Sequence, residues 1–175
     1  MAELSLKKEE AMEYGPDISR MLAVYGKDLL RICFLYLKDI HLAEDALQDT
    51  FLRVYKSYSG FRGEADEKTW ITRIAINVCK NYLKSPWHRL RDPDAVLERM
   101  PAPANQCPNA DNTVMLAVMG LPAKYKDVII LYYYYEMTTH ETAQVLGIMD
   151  AAVSSRLRRA KEKLQTKLKG WYFDE

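Results

Sequence analysis

Five of the chain's seven prolines fall in one stretch, Ser85 to Asn112, "SPWHRLRDPDAVLERMPAPANQCPNADN". No hydrophobic period survives across it. On both sides apolar residues recur every three or four positions, the mark of amphipathic helices. A helix does not run through closely spaced prolines, because each removes a backbone donor and clashes with the turn before it. The expected fold class is therefore all-α: two small helical domains, residues 1–84 and 113–175, joined by a flexible linker at 85–112 with one helical turn at "DAVLERM".

The first module reads as three helices. One begins near Pro16–Asp17, with Ile18, Met21, Leu22, Tyr25, Leu29, Ile32, Cys33, Tyr36 and Leu37 as its apolar positions. A second runs from about His41 to Tyr58, with Leu42, Ala46, Leu47, Phe51, Val54 and Tyr55 on one side. The glycines of "SGFRGEAD" break the pattern. A third starts near Asp66, its expected N-cap, and reaches about Lys84, with Trp70, Ile71, Ile74, Val78 and Tyr82 inward.

In the second module, "TVMLAVMG" reads as a short helix and Pro122 as the first residue of the next. Four consecutive tyrosines, Tyr132 to Tyr135, cannot all face inward on a helix. In "TTHETAQVLG", Thr138 with Glu141 three residues on forms a capping box. Gly147 suits a turn that needs positive φ, Ile148 plugs the corner, and Asp150 can cap the following helix. Val153, Leu157, Ala160, Leu164 and Leu168 form that helix's buried stripe. Ala151, Ser155, Arg158, Arg159 and Glu162 face away, with Ser154 and Arg156 on the flanks. This is a helix-turn-helix pattern, whose second helix is free to enter a DNA groove.

The net charge is only +1, so overall charge selects no partner, but its distribution does. From Met149 to Lys169 seven basic residues (Arg156, Arg158, Arg159, Lys161, Lys163, Lys167 and Lys169) face only Asp150 and Glu162. Small residues at the helix start allow close approach to a major groove, and arginines contact phosphates or read guanine. Cys33, Cys79 and Cys107 show no metal-ligand spacing, and the first two fall on apolar stripes as core thiols. No metal and no cofactor are expected. His41, His88 and His140 are isolated and no glycine-rich phosphate loop exists, so an enzyme is not expected. "MAELSLKKEEAMEYG" has no apolar core of a signal peptide, and no run is apolar enough to span a bilayer. No membrane insertion and a cytoplasmic location are expected.

Two blocks carry a family resemblance. "LPAKYKDVIILYYYYEMTTHETAQVLGIMDAAVSSRLRRAKEKL" resembles the C-terminal DNA-binding domain of bacterial sigma factors, most closely the two-domain, extracytoplasmic-function (ECF) group. "AEDALQDTFLRVYKSYSGFRGEADEKTWITRIAINVCKNYLK" resembles that group's promoter-melting domain. Two different motifs in the right order cover most of the chain. The resemblance implies a transcription initiation factor that binds core RNA polymerase through the largest-subunit coiled coil and the flap. It implies recognition of a duplex −35 element, capture of a single-stranded −10 element, and control by an anti-sigma factor.

The resemblance also distributes the residues. The −35 contacts fall to Ala151, Ser154, Ser155, Arg156, Arg158, Arg159 and Lys161. The −10 contacts fall to Phe61, Arg62, Lys68, Arg73, Asn77, Lys80, Asn81 and Lys84: cations for the backbone, asparagines for base edges, Phe61 to pack or stack. Polymerase docking falls to Asp45, Gln48, Asp49, Leu52, Arg53 and Lys56, a polar face opposite the core stripe. Two positions depart from the family pattern. Glu67 stands where an aromatic is usual and adds negative charge beside DNA, and Ser154 replaces a usual Lys or Arg. Two other functions fit parts of the pattern: a DNA-binding regulator acting without polymerase, and a helical adaptor whose basic helix binds protein. The "AEDALQDTFLRVY" block argues against the regulator.

Overall fold

The computed structural model describes residues 16–85 and 112–172. The linker and its helical turn, Cys107 and the N-terminal segment lie outside these. The chain separates into two compact units, Met1–Arg99 and Met100–Glu175. The described residues are helical, with no strand among them.

The first unit is a three-helix arrangement in which every helix packs on the other two. Helix α1 spans Ile18–Leu37, α2 Ile40–Ser57 and α3 Glu67–Lys84. Asp17 caps α1 by accepting the Arg20 N–H at 2.8 Å. Lys38 ends it in the left-handed conformation, φ 58°, and Asp39 at once caps α2 by accepting the Leu42 N–H at 3.0 Å. Two residues thus turn the chain, each satisfying helix-end groups that would otherwise be orphaned. A 3₁₀ turn, Tyr58–Gly60, leads into the loop before α3, whose cap is Asp66 as expected.

The core follows the expected stripes with two corrections on α2. Tyr55 is 60% exposed rather than buried, while Thr50 and Ala43 are fully buried. Thr50 tolerates burial because its hydroxyl donates to the Ala46 carbonyl at 2.6 Å, leaving no unpaired donor inside. Leu22 of α1 also lies outside the core. On α3, Trp70, Ile74 and Tyr82 are half-buried, and Thr69, Thr72, Ala75 and Cys79 join Ile71 and Val78 inside. Cys33 and Cys79 are buried thiols, as expected. A hydrogen bond with Cys33, and burial, push the Cys79 thiol well up, away from the reactive thiolate.

The second unit contains α4 (Asn112–Met119), α5 (Ala123–Ile129), α6 (Thr139–Leu146) and α7 (Asp150–Tyr172). Pro122 is the N-cap of α5, not its first helical residue: its ψ of 142° is extended. Its carbonyl accepts the Tyr125 and Lys126 N–H groups. α5 continues into a π turn, Ile130–Tyr134, closed by Tyr135 N–H to the Ile130 carbonyl at 3.0 Å. The wider turn parts the tyrosines. Tyr132 and Tyr133 stay at the surface, Tyr134 is half-buried, and Tyr135 is buried.

The capping box is present. Glu141 N–H donates to the Thr138 hydroxyl oxygen at 3.2 Å, and Thr138 N–H to the Glu141 carboxylate at 2.7 Å. Gly147 adopts φ 65°, and the Ile148 N–H returns to the Ala143 carbonyl at 3.1 Å. Val118, Leu121, Tyr125, Val128, Ile129, Ala143, Val153, Leu157 and Ala160 form one core, with Ile148 and Leu164 packed against it. Thr138→Ala removes one half of the box. It should cost about 1 kcal/mol, a fall of about 4–8 °C in the melting midpoint of a unit this size, measurable by circular dichroism.

Candidate functional site

Helix α7 presents a small and basic outer face. Val153, Leu157 and Ala160 anchor it inward, while Ala151, Ser154, Arg158, Arg159 and Lys161 are exposed and Ser155 and Arg156 half-buried. Met149, just ahead of the helix, is 80% exposed. Asp150 is the first helical residue rather than the cap. Its carboxylate accepts from His140 Nδ1 of α6 at 3.1 Å, and Gln144 Nε2 lies 3.2 Å from the other ring nitrogen. A carboxylate only accepts, so Nδ1 is the donor of this pair. The tie spans the Gly147 turn and joins the two helices of the motif.

Three of the expected basic residues already have neighbours. Arg158 donates to Glu162 at 3.1 Å. Lys161 Nζ lies 5.5 Å from the Tyr133 ring centroid, and hydrogen bonding to Tyr133 raises its pKa. Lys124 and Lys163 stand over the Tyr125 ring at 5.0 and 5.8 Å, and the charges of Lys124 and Arg159 act on its phenol. Desolvation pushes that phenol up, but Lys124 and Arg159 outweigh it and the net shift is downward. Sequence reasoning misses Tyr125, Lys124 and Lys163. The basic run gives a signal for Lys163 alone, since Lys124 lies on another helix.

In the first unit, Asp45, Gln48, Leu52, Arg53 and Lys56 are exposed along α2. Leu52 is 58% exposed, so with Tyr55 an apolar centre sits in an otherwise polar face. Asp49 is half-buried and accepts the Tyr82 hydroxyl of α3 at 2.9 Å. Desolvation, then Asp49, push Tyr82 up from 10.0 to about 12. The phenol's contribution to stability is therefore whole below the unfolded value and lost as pH rises through the folded one. Between those limits Tyr82→Phe should flatten the fall of the unfolding midpoint with pH, read by denaturant melts.

Arg73, Asn77, Asn81 and Lys84 form an exposed row on α3, with Lys80 half-buried beside it. In the preceding loop Arg62 lies 3.9 Å from Glu64 at the surface. Phe61 packs instead of standing free: its ring centroid is 4.8 Å from Trp70 and 5.8 Å from Tyr58. Lys68 is half-buried at the start of α3. Beside it Glu67 turns inward. Arg20 Nη2 donates to both its oxygens at 2.8 and 2.9 Å, and the Tyr25 hydroxyl donates at 3.1 Å. The expected bare negative charge is thus neutralised within the unit.

Two family models match the chain: Sigma-70 region 2 over residues 21–89 and Sigma-70, region 4 over residues 111–164. The ECF RNA polymerase sigma factor SigG of Mycobacterium tuberculosis is 30% identical over 187 residues, covering 91% of this chain and 50% of that protein. SigW of Bacillus subtilis, also an ECF RNA polymerase sigma factor, is 27% identical over 165 residues, covering 83% of this chain and 86% of that one. The chain belongs to the ECF sigma factor family.

This sigma factor spans about half the length of SigG. Its fold is that of the sigma factor RpoE from Bartonella quintana, solved in complex with the anti-sigma factor NepR: TM-score 0.71 and 22% identity, covering 91% of this chain and 99% of that one. The region 2 match takes in nearly all of α1–α3, with the α2 face and the α3 row. The region 4 match holds the helix-turn-helix. Among the described residues no helix is long and apolar enough to cross a membrane, and no group of His, Cys, Asp and Glu could hold a metal ion.

Proposed function

We propose that this chain is a dissociable, non-catalytic initiation subunit that binds core RNA polymerase and directs it to specific promoters. The observation that carries the reading is the order of matched regions in one chain, a region 2 unit followed by a region 4 unit, each with its own exposed polar face. Functionally the chain divides into residues 1–84, a linker at 85–112, and 113–175.

Helix α7 lies in the major groove of the −35 element. Ala151, Ser154 and Ser155 permit close approach, Arg156, Arg158 and Arg159 supply phosphate and base contacts, and Lys161 adds charge at the edge. The α3 row, Arg73, Asn77, Lys80, Asn81 and Lys84, tracks the melted −10 strand with Arg62 and Lys68, while Phe61 shapes the loop that receives an unstacked base. Unstacking costs a few kcal/mol, which a preformed site offsets. Asp45, Gln48, Asp49, Arg53 and Lys56 around Leu52 dock on the coiled coil of the polymerase's largest subunit, and region 4 meets the flap. A cytoplasmic location and an anti-sigma partner complete the reading, the latter supported by the complex in which RpoE was solved.

The test is to mix the purified chain with bacterial core RNA polymerase, isolate the complex, and footprint promoter fragments with permanganate probing of melted thymines. A stable complex that opens DNA is expected. Salt-sensitive duplex binding by the chain alone, without polymerase binding, would favour a free-standing regulator instead.

A further inference from the structure

An acid at Glu67 sits poorly beside a DNA strand, yet its surroundings explain why the chain can carry one there. The carboxylate is gripped by Arg20 and Tyr25 of α1. Only 17% of the Glu67 side chain is exposed, against 46% for Arg20. Glu67 is also the first residue of α3, where the unpaired amides of the helix start favour negative charge. On the other side of the loop the rings of Tyr58, Phe61 and Trp70 pack together, Tyr58 and Trp70 edge-on at 5.9 Å. The ring cluster fastens the loop where it begins at Phe61, and the Arg20–Glu67 pair fastens α3 where the loop ends, so both ends of the loop are held. Between them Gly63, φ 70°, and the exposed Arg62 and Glu64 form the open arc.

Building on the proposed capture of the melted strand, we infer that Glu67 is a positioning residue for the loop Phe61–Asp66 and that Arg20 is the counter-charge that makes an acid tolerable there. A loop whose ends are fixed beforehand loses less freedom when a strand enters it. The same geometry assigns Arg20 a second effect: it cancels a charge that would repel phosphate. A simple structural staple and a charge-cancelling clasp differ in one respect. Removing either member of a staple, or both, does similar damage. Removing Arg20 alone leaves a partly buried carboxylate uncompensated, and removing the carboxylate as well relieves it.

The probe is a single-stranded oligonucleotide of non-template sequence, taken from a promoter opened in the footprinting above and bound to the complex of full chain and core polymerase. Arg20→Met should weaken its binding about tenfold, the scale of a half-exposed charge pair. Glu67→Gln, nearly isosteric, should weaken it less. Arg20→Met with Glu67→Gln should bind better than Arg20→Met alone. The deficit of Arg20→Met should shrink as salt is raised, and duplex upstream-element binding should not change in any variant. A double variant no better than Arg20→Met, or full strand binding by both single variants, overturns the inference. A wild-type complex that ignores the oligonucleotide overturns the strand-capture reading and this inference with it. Glu67→Gln carries the test if Arg20→Met loosens α1.

Discussion

Asp45→Lys combined with Asp49→Lys should weaken core polymerase binding at least about 100-fold: the docking reading sets these acids against a basic coiled coil, and like charges facing across an interface cost several kcal/mol. Both acids lie on the α2 face that surrounds the exposed Leu52. Upstream duplex binding by the isolated chain should be unaffected, because α7 belongs to the other unit. Asp49 has a second role that must be separated: it accepts the Tyr82 hydroxyl and so ties α2 to α3. Losing a hydrogen bond to a charged group costs about 1.5–3 kcal/mol, less here because the site is only half-buried. Tyr82→Phe breaks the tie and leaves the acid. It should keep polymerase affinity within a few-fold while lowering the melting midpoint. Fluorescence anisotropy with labelled chain reads the first effect and calorimetry the second. Wild-type affinity in the double lysine variant would move docking off α2.

Arg158→Ala with Arg159→Ala should weaken binding to the upstream element by about 100-fold, at about 1–3 kcal/mol for each arginine removed. If both arginines meet phosphates, the slope of log affinity against log salt should fall by about 0.9 for each. The two are not equivalent. Arg158 shares its charge with Glu162, so Glu162→Gln should strengthen binding. Arg159 acts on a phenol, Tyr125, rather than on a carboxylate. Polymerase affinity should change in none of them. Promoter binding that survives the double alanine variant, with its salt slope intact, would remove α7 from the recognition role.

What can be read from the sequence is mostly local. Asp66, Thr138 with Glu141, and Gly147 satisfy helix ends within three or four residues of themselves, so spacing alone reveals them. The helix-turn-helix follows from those signals and one apolar stripe. Partners distant in sequence account for much of what spacing hides. Glu67 looks like a bare charge until Arg20, 47 residues earlier, is placed against it. Asp49 reads as a free docking acid, but its tie to Tyr82 crosses 33 residues. Other differences come from residues that suit two settings. The stripe puts Tyr55 inward because tyrosine counts as apolar there, although it serves equally at a surface. Pro122 reads one position too deep because its fixed φ suits both a cap and a first helical residue, and only ψ separates the two.

The π turn at Ile130–Tyr134 makes chain length negotiable at this point of the fold. A π turn accommodates one residue more than an α-helical path between the same flanks. The α5 segment before it and the buried Tyr135 and Met137 after it can therefore be bridged by a run one tyrosine shorter, at the expense of an outward-facing ring. Lineages could gain or lose that ring without re-threading the core. The corner at Gly147 offers no such slack, since an added or missing residue there would re-aim every side chain of the helix that follows.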